Sequence, residues 1–334
     1  MIEIRHRIQK DAFTLDVDVD IPDTGVTGVF GESGSGKTTL LRCIAGLDGD
    51  GGLPVHRRNI GYVFQEPGLF PHLDVRGNIN YGARRANVRR IEERYVVDML
   101  GLEDLLDRRP DTLSGGEAQR VAIAAALLRS PDLILMDEPL ASLDRRRRDE
   151  LLPYIDRLHQ ELSIPIVYVS HDIGEISRLC DHLLVLDAGR VVAQGSLFDV
   201  LSHADAPVLA GRNAGVVLWA TPVDHEDGLT RFDFGDGDIW VPGVIDAVQH
   251  PLRLRIAASD VSIARERPSA STILNILRAT VEEIREVDAA TAMVRLGLGN
   301  QELLAQVTNR SVARLGLRAG ERVFAQVKSV TVRR

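Results

Sequence analysis

From Phe13 to Val19 apolar and polar residues alternate: Phe13, Leu15, Val17 and Val19 against Thr14, Asp16 and Asp18. A period of two predicts a half-exposed antiparallel strand. Four other stretches, GVTGVF (25–30), NIGYVFQE (59–66), LILMDEP (133–139) and IPIVYVSHD (164–172), open on short, mostly apolar runs. Such runs predict strands buried on both faces of a parallel sheet. Between them lie TLLRCIAGL, an apolar helix stopped by Gly46, and AQRVAIAAALLRS (118–130), a second helix. The segment between Gln65 and Leu113 predicts a loop and then helices, with Val96, Val97, Leu100 and Leu105 as its apolar positions. Strands alternating with helices predict an α/β domain.

From about residue 206 the pattern changes to short strands and turns: VVLWA, LTRFDF, DIWVP and LRLRIA. An internal repeat runs through this tail. LRIAASDVSIAR (254–265) aligns without gaps on VFAQVKSVTVRR (323–334), and the stretch 213–243 resembles 275–306. The repeat predicts two small β-barrel lobes, about 208–268 and 270–334, joined at ERPSAS.

Composition narrows the classes. The 334 residues suffice for two or three domains, and 44% hydrophobic with 26% charged residues is ordinary for a water-soluble fold. A net charge of −8 argues against nucleic acid as a partner. The two cysteines, Cys43 and Cys180, make a disulfide framework improbable. The start MIEIRHRIQ has no apolar signal core, and VAIAAALL is far short of a membrane span. A membrane role would come through a partner.

The chemistry-bearing residues lie at predicted strand ends. GESGSGKT (31–38) matches the phosphate-loop pattern between a strand and a helix. Gly31, Glu32, Ser33, Gly34, Ser35 and Gly36 would wrap phosphates with backbone amides, and Lys37 would reach the β- and γ-phosphates. Thr38 would ligate Mg²⁺, with Thr39 following in the ATP-binding set. Asp137 suits Mg²⁺, and Glu138 suits the general base that activates water. His171 would hydrogen-bond a γ-phosphate, and Gln65 would meet both metal and water. LSGGEAQR (113–120) places Ser114, Gly115 and Gly116 just before a helix, an anion site without a cation beside it.

In this order GESGSGKT, Gln65, LSGGEAQR, LILMDEP, the SLD of Ser142–Asp144 and His171 resemble the ATP-binding-cassette ATPases over roughly residues 1–205. The resemblance implies a P-loop NTPase fold with a helical subdomain at about 66–130, and ATP and Mg²⁺ as ligands. It implies a head-to-tail homodimer in which Ser114, Gly115, Gly116 and Asp144 of one copy complete the ATP site of the other, so LSGGE needs no cation of its own. In importers of this family FPHLDVRGNI would grip a transmembrane permease subunit.

Three departures stand out. Phe13 reads as core rather than as the usual adenine stacker. The stretch 46–58 is short, and Ala125 stands where many relatives carry Arg. The run Arg145–Arg148 reads as a solvated helix face.

The second tail lobe resembles the molybdate-binding Mop/TOBE-type domain through STILNIL (271–277) and the Lys328-Ser329 pair, giving an all-β OB-like tandem at 206–334. Ser271, Thr272, Lys328 and Ser329 would supply the hydroxyls and ammonium that a tetrahedral dianion wants. Ser259-Asp260 occupies the matching place in the first lobe, where an acid repels an anion.

Cassette plus tail resembles the ATPase of a molybdate importer, at the cytoplasmic face of the inner membrane, with a periplasmic oxyanion-binding protein as an indirect partner. The alternatives are a tungstate, sulfate or sugar importer ATPase, or a soluble cassette ATPase outside transport.

Overall fold

A computed structural model describes residues 1–10, 13–48, 58–83, 91–162, 164–203, 214–235, 237–245 and 251–333. Residues 49–57, most of the short stretch read at 46–58, lie outside these, and so does the domain boundary read at 205/206. The chain divides into two compact units, Met1–Ser196 and Leu197–Arg334. No helix among the described residues is long and apolar enough to cross a membrane.

The first unit is built on one eight-stranded sheet. Its strands are β1 (Ile2–Lys10), β2 (Phe13–Ile21), β3 (Val26–Phe30), β4 (Ile60–Val63), β5 (Leu133–Asp137), β6 (Ile166–Ser170), β7 (His182–Asp187) and β8 (Arg190–Ser196). The order across the sheet is β1-β2-β8-β7-β3-β6-β5-β4. Strands β7, β3, β6, β5 and β4 run parallel to one another. Every residue of β3, β5 and β6 is buried, as their uninterrupted apolar runs require. β2 pairs antiparallel with β1, with Leu15, Val17 and Val19 turned inward and Asp18 outward. Because β3, β6, β5 and β4 share one direction, the residues that follow each of them meet along one edge of the sheet.

The glycine-rich loop links β3 to helix α1 (Lys37–Ala45). Helices α2 (Val75–Ala83) and α3 (Glu93–Leu100) both pack on α4 (Gly115–Leu127), forming a helical layer. Val96, Val97 and Leu100 of α3 are buried, with Leu105 beyond it. Arg120 of α4 donates to the Leu100 and Gly101 carbonyls at 2.7 and 2.8 Å, satisfying the C-terminal end of α3.

Two expectations change here. Gly115 and Gly116 do not precede α4 but form its first turn, and Ser114 is its N-cap. The arginine run opens α5 (Arg145–Leu162), yet only part of it is solvated: Arg146 and Arg147 are exposed, whereas Arg148 turns inward. The side chain of Arg145 lies outside what is described.

After α6 (Ile173–Leu179), the last helix of the first unit, the second unit opens on α7 (Leu197–His203) and is then almost all β. The first repeat copy supplies β9 (Gly215–Glu226), β10 (Leu229–Asp233), β11 (Asp238–Pro242), β12 (Leu252–Ala257) and β13 (Val261–Ala264). The second supplies β14 (Asn275–Glu286), β15 (Thr291–Leu298), β16 (Gln301–Thr308), β17 (Arg322–Val327) and β18 (Thr331–Arg333), with helix α8 (Asn309–Leu315) before β17. The sheets do not follow the copies. One runs β11-β10-β9-β12-β18 and the other β13-β17-β14-β15-β16. Each copy therefore gives its last strand to the other: β18 pairs with β12, and β13 with β17.

The crossing turns touch, with Lys328 N donating to Asp260 O at 2.9 Å. One continuous core unites the two sheets, from Val216, Leu218 and Leu254 to Leu296, Leu303 and Ala325. Two amide side chains clip the sheets together. Asn275 exchanges hydrogen bonds with the backbone of Trp240, and Gln301 with that of Trp219.

Candidate functional site: a phosphate loop at the sheet edge

β3 ends at Phe30, and the chain turns sharply. Gly34 (φ +85°) and Gly36 (φ +106°) adopt left-handed conformations. A Cβ at Gly36 would meet the Phe13 ring at 2.7 Å, and one at Gly31 would strike the Leu186 carbonyl at 2.3 Å. The loop is thus tightly sleeved, and glycine is required there on steric grounds. Phe13 is half-buried, packing against the core beneath and this glycine.

Lys37 is 5% exposed, with its ammonium donating to the Gly31 and Glu32 carbonyls at 2.9 Å each. Burial lowers its pKa, and Glu138 and Asp137 offset this. Ser35 Oγ is buried without a hydrogen-bond partner. A buried, unpartnered hydroxyl and a buried ammonium two residues apart in one glycine-rich loop fit a polyanion, since unsatisfied buried polar groups are costly.

Asp137 is buried at the end of β5. Thr38 Oγ1 donates to its Oδ1 at 3.0 Å and Tyr62 Oη to its Oδ2 at 3.1 Å. Desolvation raises the Asp137 pKa against those two hydrogen bonds. Glu138 follows with φ +45°, a left-handed conformation that a non-glycine residue adopts only under external constraint. Its carboxylate lies 3.7 Å from Lys37 Nζ and 3.0 Å from His171 Nδ1. Gln65 follows β4 by two residues and is exposed. Thr38, Asp137 and Gln65 offer hard oxygen ligands, which suits Mg²⁺.

The Ser114 hydroxyl is already engaged. It accepts from Glu117 N at 3.3 Å, and Glu117 Oε2 accepts from Ser114 N at 2.7 Å, a reciprocal capping box. Asp144 accepts from Arg147 N and caps the start of α5.

Three contributors were not legible in the motifs. Tyr62 is one. Arg148 donates to the Leu143 carbonyl at 3.2 Å and pairs with Asp172 at 3.4 Å and Glu175 at 3.5 Å. Buried Glu175 accepts from Tyr168 and Ser170, so this cluster braces the turn that carries His171. No periodicity marks these residues, because partners 24 to 27 positions apart meet only through the fold.

Beside this edge, an apolar groove of about 310 Å³ is lined by Tyr62, Phe64, Pro67, Leu69, Phe70 and Tyr81, among others. Ala125 lies in its wall with Ala122 and Ala126. In the tail, Ser271 Oγ donates to Gln326 Oε1 at 3.4 Å, and Asn275 stands opposite Val327, next to Lys328. Ser271, Thr272, Lys328 and Ser329 are all exposed.

The profile of the ABC transporter family matches residues 15–141, and that of the TOBE domain residues 271–333. Molybdenum import ATP-binding protein ModC 1 of Azotobacter vinelandii is 48% identical, over 99% of this chain and 98% of that protein. ModC of Methylococcus capsulatus is 46% identical over 99% of each. Among solved structures, CbiO1 of Clostridium perfringens, part of the ABC transporter complex CbiONQ, aligns at TM-score 0.53 and 28% identity over 60% of this chain and 90% of that one. The dimeric ATP-binding cassette MJ0796 bound to ADP and Pi aligns at 0.50 and 26% over 59% and 99%. With a cassette sheet edge, an all-β tail and full-length similarity of this degree, the chain belongs to the ModC family of ABC transporter ATP-binding proteins.

Proposed function

We propose that this chain is the ATP-hydrolysing subunit of a molybdate importer, and that the sheet edge just described is its catalytic centre. The observation that carries the reading is the Glu138 carboxylate, held in a strained conformation between Lys37 and His171 with Asp137 alongside. Residues 31–39 cradle the triphosphate, with Lys37 and the free Ser35 hydroxyl facing its oxygens. Thr38, Asp137 and Gln65 hold Mg²⁺, which when bound neutralises phosphate charge. Glu138 accepts the proton of the attacking water, and His171 fixes the orientation of that carboxylate before meeting the γ-phosphate.

Ser114, Gly115, Gly116 and Asp144 act across a homodimer, facing the nucleotide of a second copy. A permease helix fills the groove of Phe64, Phe70 and Tyr81 and holds the protein peripherally at the cytoplasmic face of the inner membrane. A periplasmic oxyanion-binding protein delivers substrate to that permease. The names of the relatives, whose similarity runs through the tail, support molybdate over tungstate, sulfate or sugar. Ser271, Thr272, Lys328 and Ser329 form an oxyanion pocket that senses internal molybdate.

Glu138→Gln tests the centre. Nucleotide binding should persist while hydrolysis falls by about 10²–10⁴-fold, the range for loss of a general base. Near-normal turnover in the purified variant would remove Glu138 from the role.

A further inference from the structure

Both oxygens of the Asp137 carboxylate are engaged, by donors from different parts of the fold. Thr38 lies in the first turn of α1, behind the glycine-rich loop. Tyr62 comes from β4, the strand next to β5, where it stands opposite Leu135. A carboxylate turns easily about its terminal bond, since such torsions have broad, shallow wells. Two donors on separate oxygens, at 3.0 and 3.1 Å, hold it in one plane. The Tyr62 ring leads elsewhere. It stacks on Phe64 with centroids 4.2 Å apart, and both rings line the apolar groove beside the site. Phe64 is 46% exposed, and its carbonyl accepts from buried Gln119 of α4 at 3.3 Å, which fixes the backbone while the ring stays accessible. One side chain thus joins the wall of the groove to the carboxylate at the catalytic edge.

We propose that Tyr62 is a positioning residue: its hydroxyl orients Asp137 for the divalent cation, and the stacking of its ring on Phe64 holds that hydroxyl in place. The inference rests on the reading of Asp137 as a metal ligand. A hydrogen-bond partner of a metal-binding carboxylate sets the ligand's direction, and its loss typically costs about 10–100-fold in metal affinity.

The test uses the full-length chain and a non-hydrolysable ATP analogue, with Mg²⁺ titrated against nucleotide binding. Tyr62→Phe keeps the ring on Phe64 and removes only the hydroxyl. The Mg²⁺ midpoint should rise about 10-fold, while analogue binding in EDTA stays at the wild-type value and the nucleotide-free chain still unfolds cooperatively, at a melting temperature lowered only by the lost hydrogen bond. Tyr62→Leu, which deletes ring and hydroxyl, should shift the midpoint at least as far. Phe64→Ala should shift it in the same direction by less, and should add nothing in the Tyr62→Phe background, because its effect passes through the hydroxyl. A Tyr62→Phe midpoint equal to wild type overturns the role of the hydroxyl. An undiminished Phe64→Ala shift in the double variant overturns the part given to the stacked ring. Nucleotide binding by the wild type that ignores Mg²⁺ overturns the metal-site reading itself, a separate outcome.

Discussion

The phosphate loop and the Ser271–Lys328 corner are both offered to tetrahedral oxyanions, and they are built in opposite ways. In the loop the cation is buried, a hydroxyl waits without a partner, two glycines hold left-handed turns and the neighbouring Glu138 is strained. In the corner every proposed ligand is exposed, and the Ser271 hydroxyl already donates to Gln326. Desolvated, fixed dipoles act on an anion far more strongly than solvated ones. The proposed phosphate site is thus preorganised within a single chain, whereas the proposed site at the corner would gain comparable strength only when another surface covers it. The two regions also differ in construction. The cassette builds its edge from consecutive parallel strands. The tail interleaves two repeat copies through exchanged strands.

The interleaving can be broken first. Leu254 of β12 is fully buried, so Leu254→Ala should cost about 2–5 kcal/mol. Because Leu254 belongs to the one core that unites the two sheets, hydrogen exchange should rise in both sheets together. Acceleration confined to β9–β12 would mean that the two copies open independently.

The anion comparison comes next. Lys37→Ala removes a buried ammonium and should weaken nucleotide binding by about 2–5 kcal/mol, as truncating one member of a buried charge pair does. Binding assays in EDTA isolate this effect from the metal.

Lys328→Ala should act at the other site. At a hundredfold excess over its Kd, molybdate should stabilise the wild-type chain by about 2.7 kcal/mol. The variant should lose most of that, as read by the molybdate-dependent melting temperature. A loss within the range of an ordinary exposed charge, about 0–1 kcal/mol, would show that nothing covers the corner.

Gln301→Ala removes the clip to Trp219 and Phe234 and should cost about 1–2 kcal/mol in urea unfolding. The smallest effect is a slope. The raised pKa of Asp137 means that the native chain holds a proton the unfolded chain has released. Stability should therefore fall as pH rises from about 3.9, the ordinary Asp value, through the raised native value. Asp137→Asn should flatten that part of the nucleotide-free pH profile.

Much of the cassette was legible. The apolar runs at 26–30, 133–137 and 166–170 became fully buried strands, since a strand covered on both faces must be apolar at every position. The alternation at 13–19 became a half-exposed antiparallel strand for the matching reason. The glycines of LSGGE were misplaced, because propensity counts against Gly in a helix while a capping box outweighs it. Arg148 was read as solvated along with its neighbours. A charge run carries no sign of which member turns inward to meet Asp172 and Glu175.

The repeat in the tail was visible as matched segments, and the segments are matched strands. Which sheet each strand joins was not visible. β13 and β18 occupy equivalent places in their copies, so their local pattern carries no sign that each pairs across rather than at home. Local pattern determines the kind of element and which face is apolar, because those depend on neighbours two to four positions away. Local pattern was therefore enough for the glycine-rich loop between a strand and a helix, the buried strand that ends in two acids, and the matched segments of the tail. The strand exchange, the inward turn of Arg148 and the hold of Tyr62 on Asp137 were settled by long-range packing. Each of these is a choice among partners far apart in the chain, made by packing and by satisfying buried polar groups.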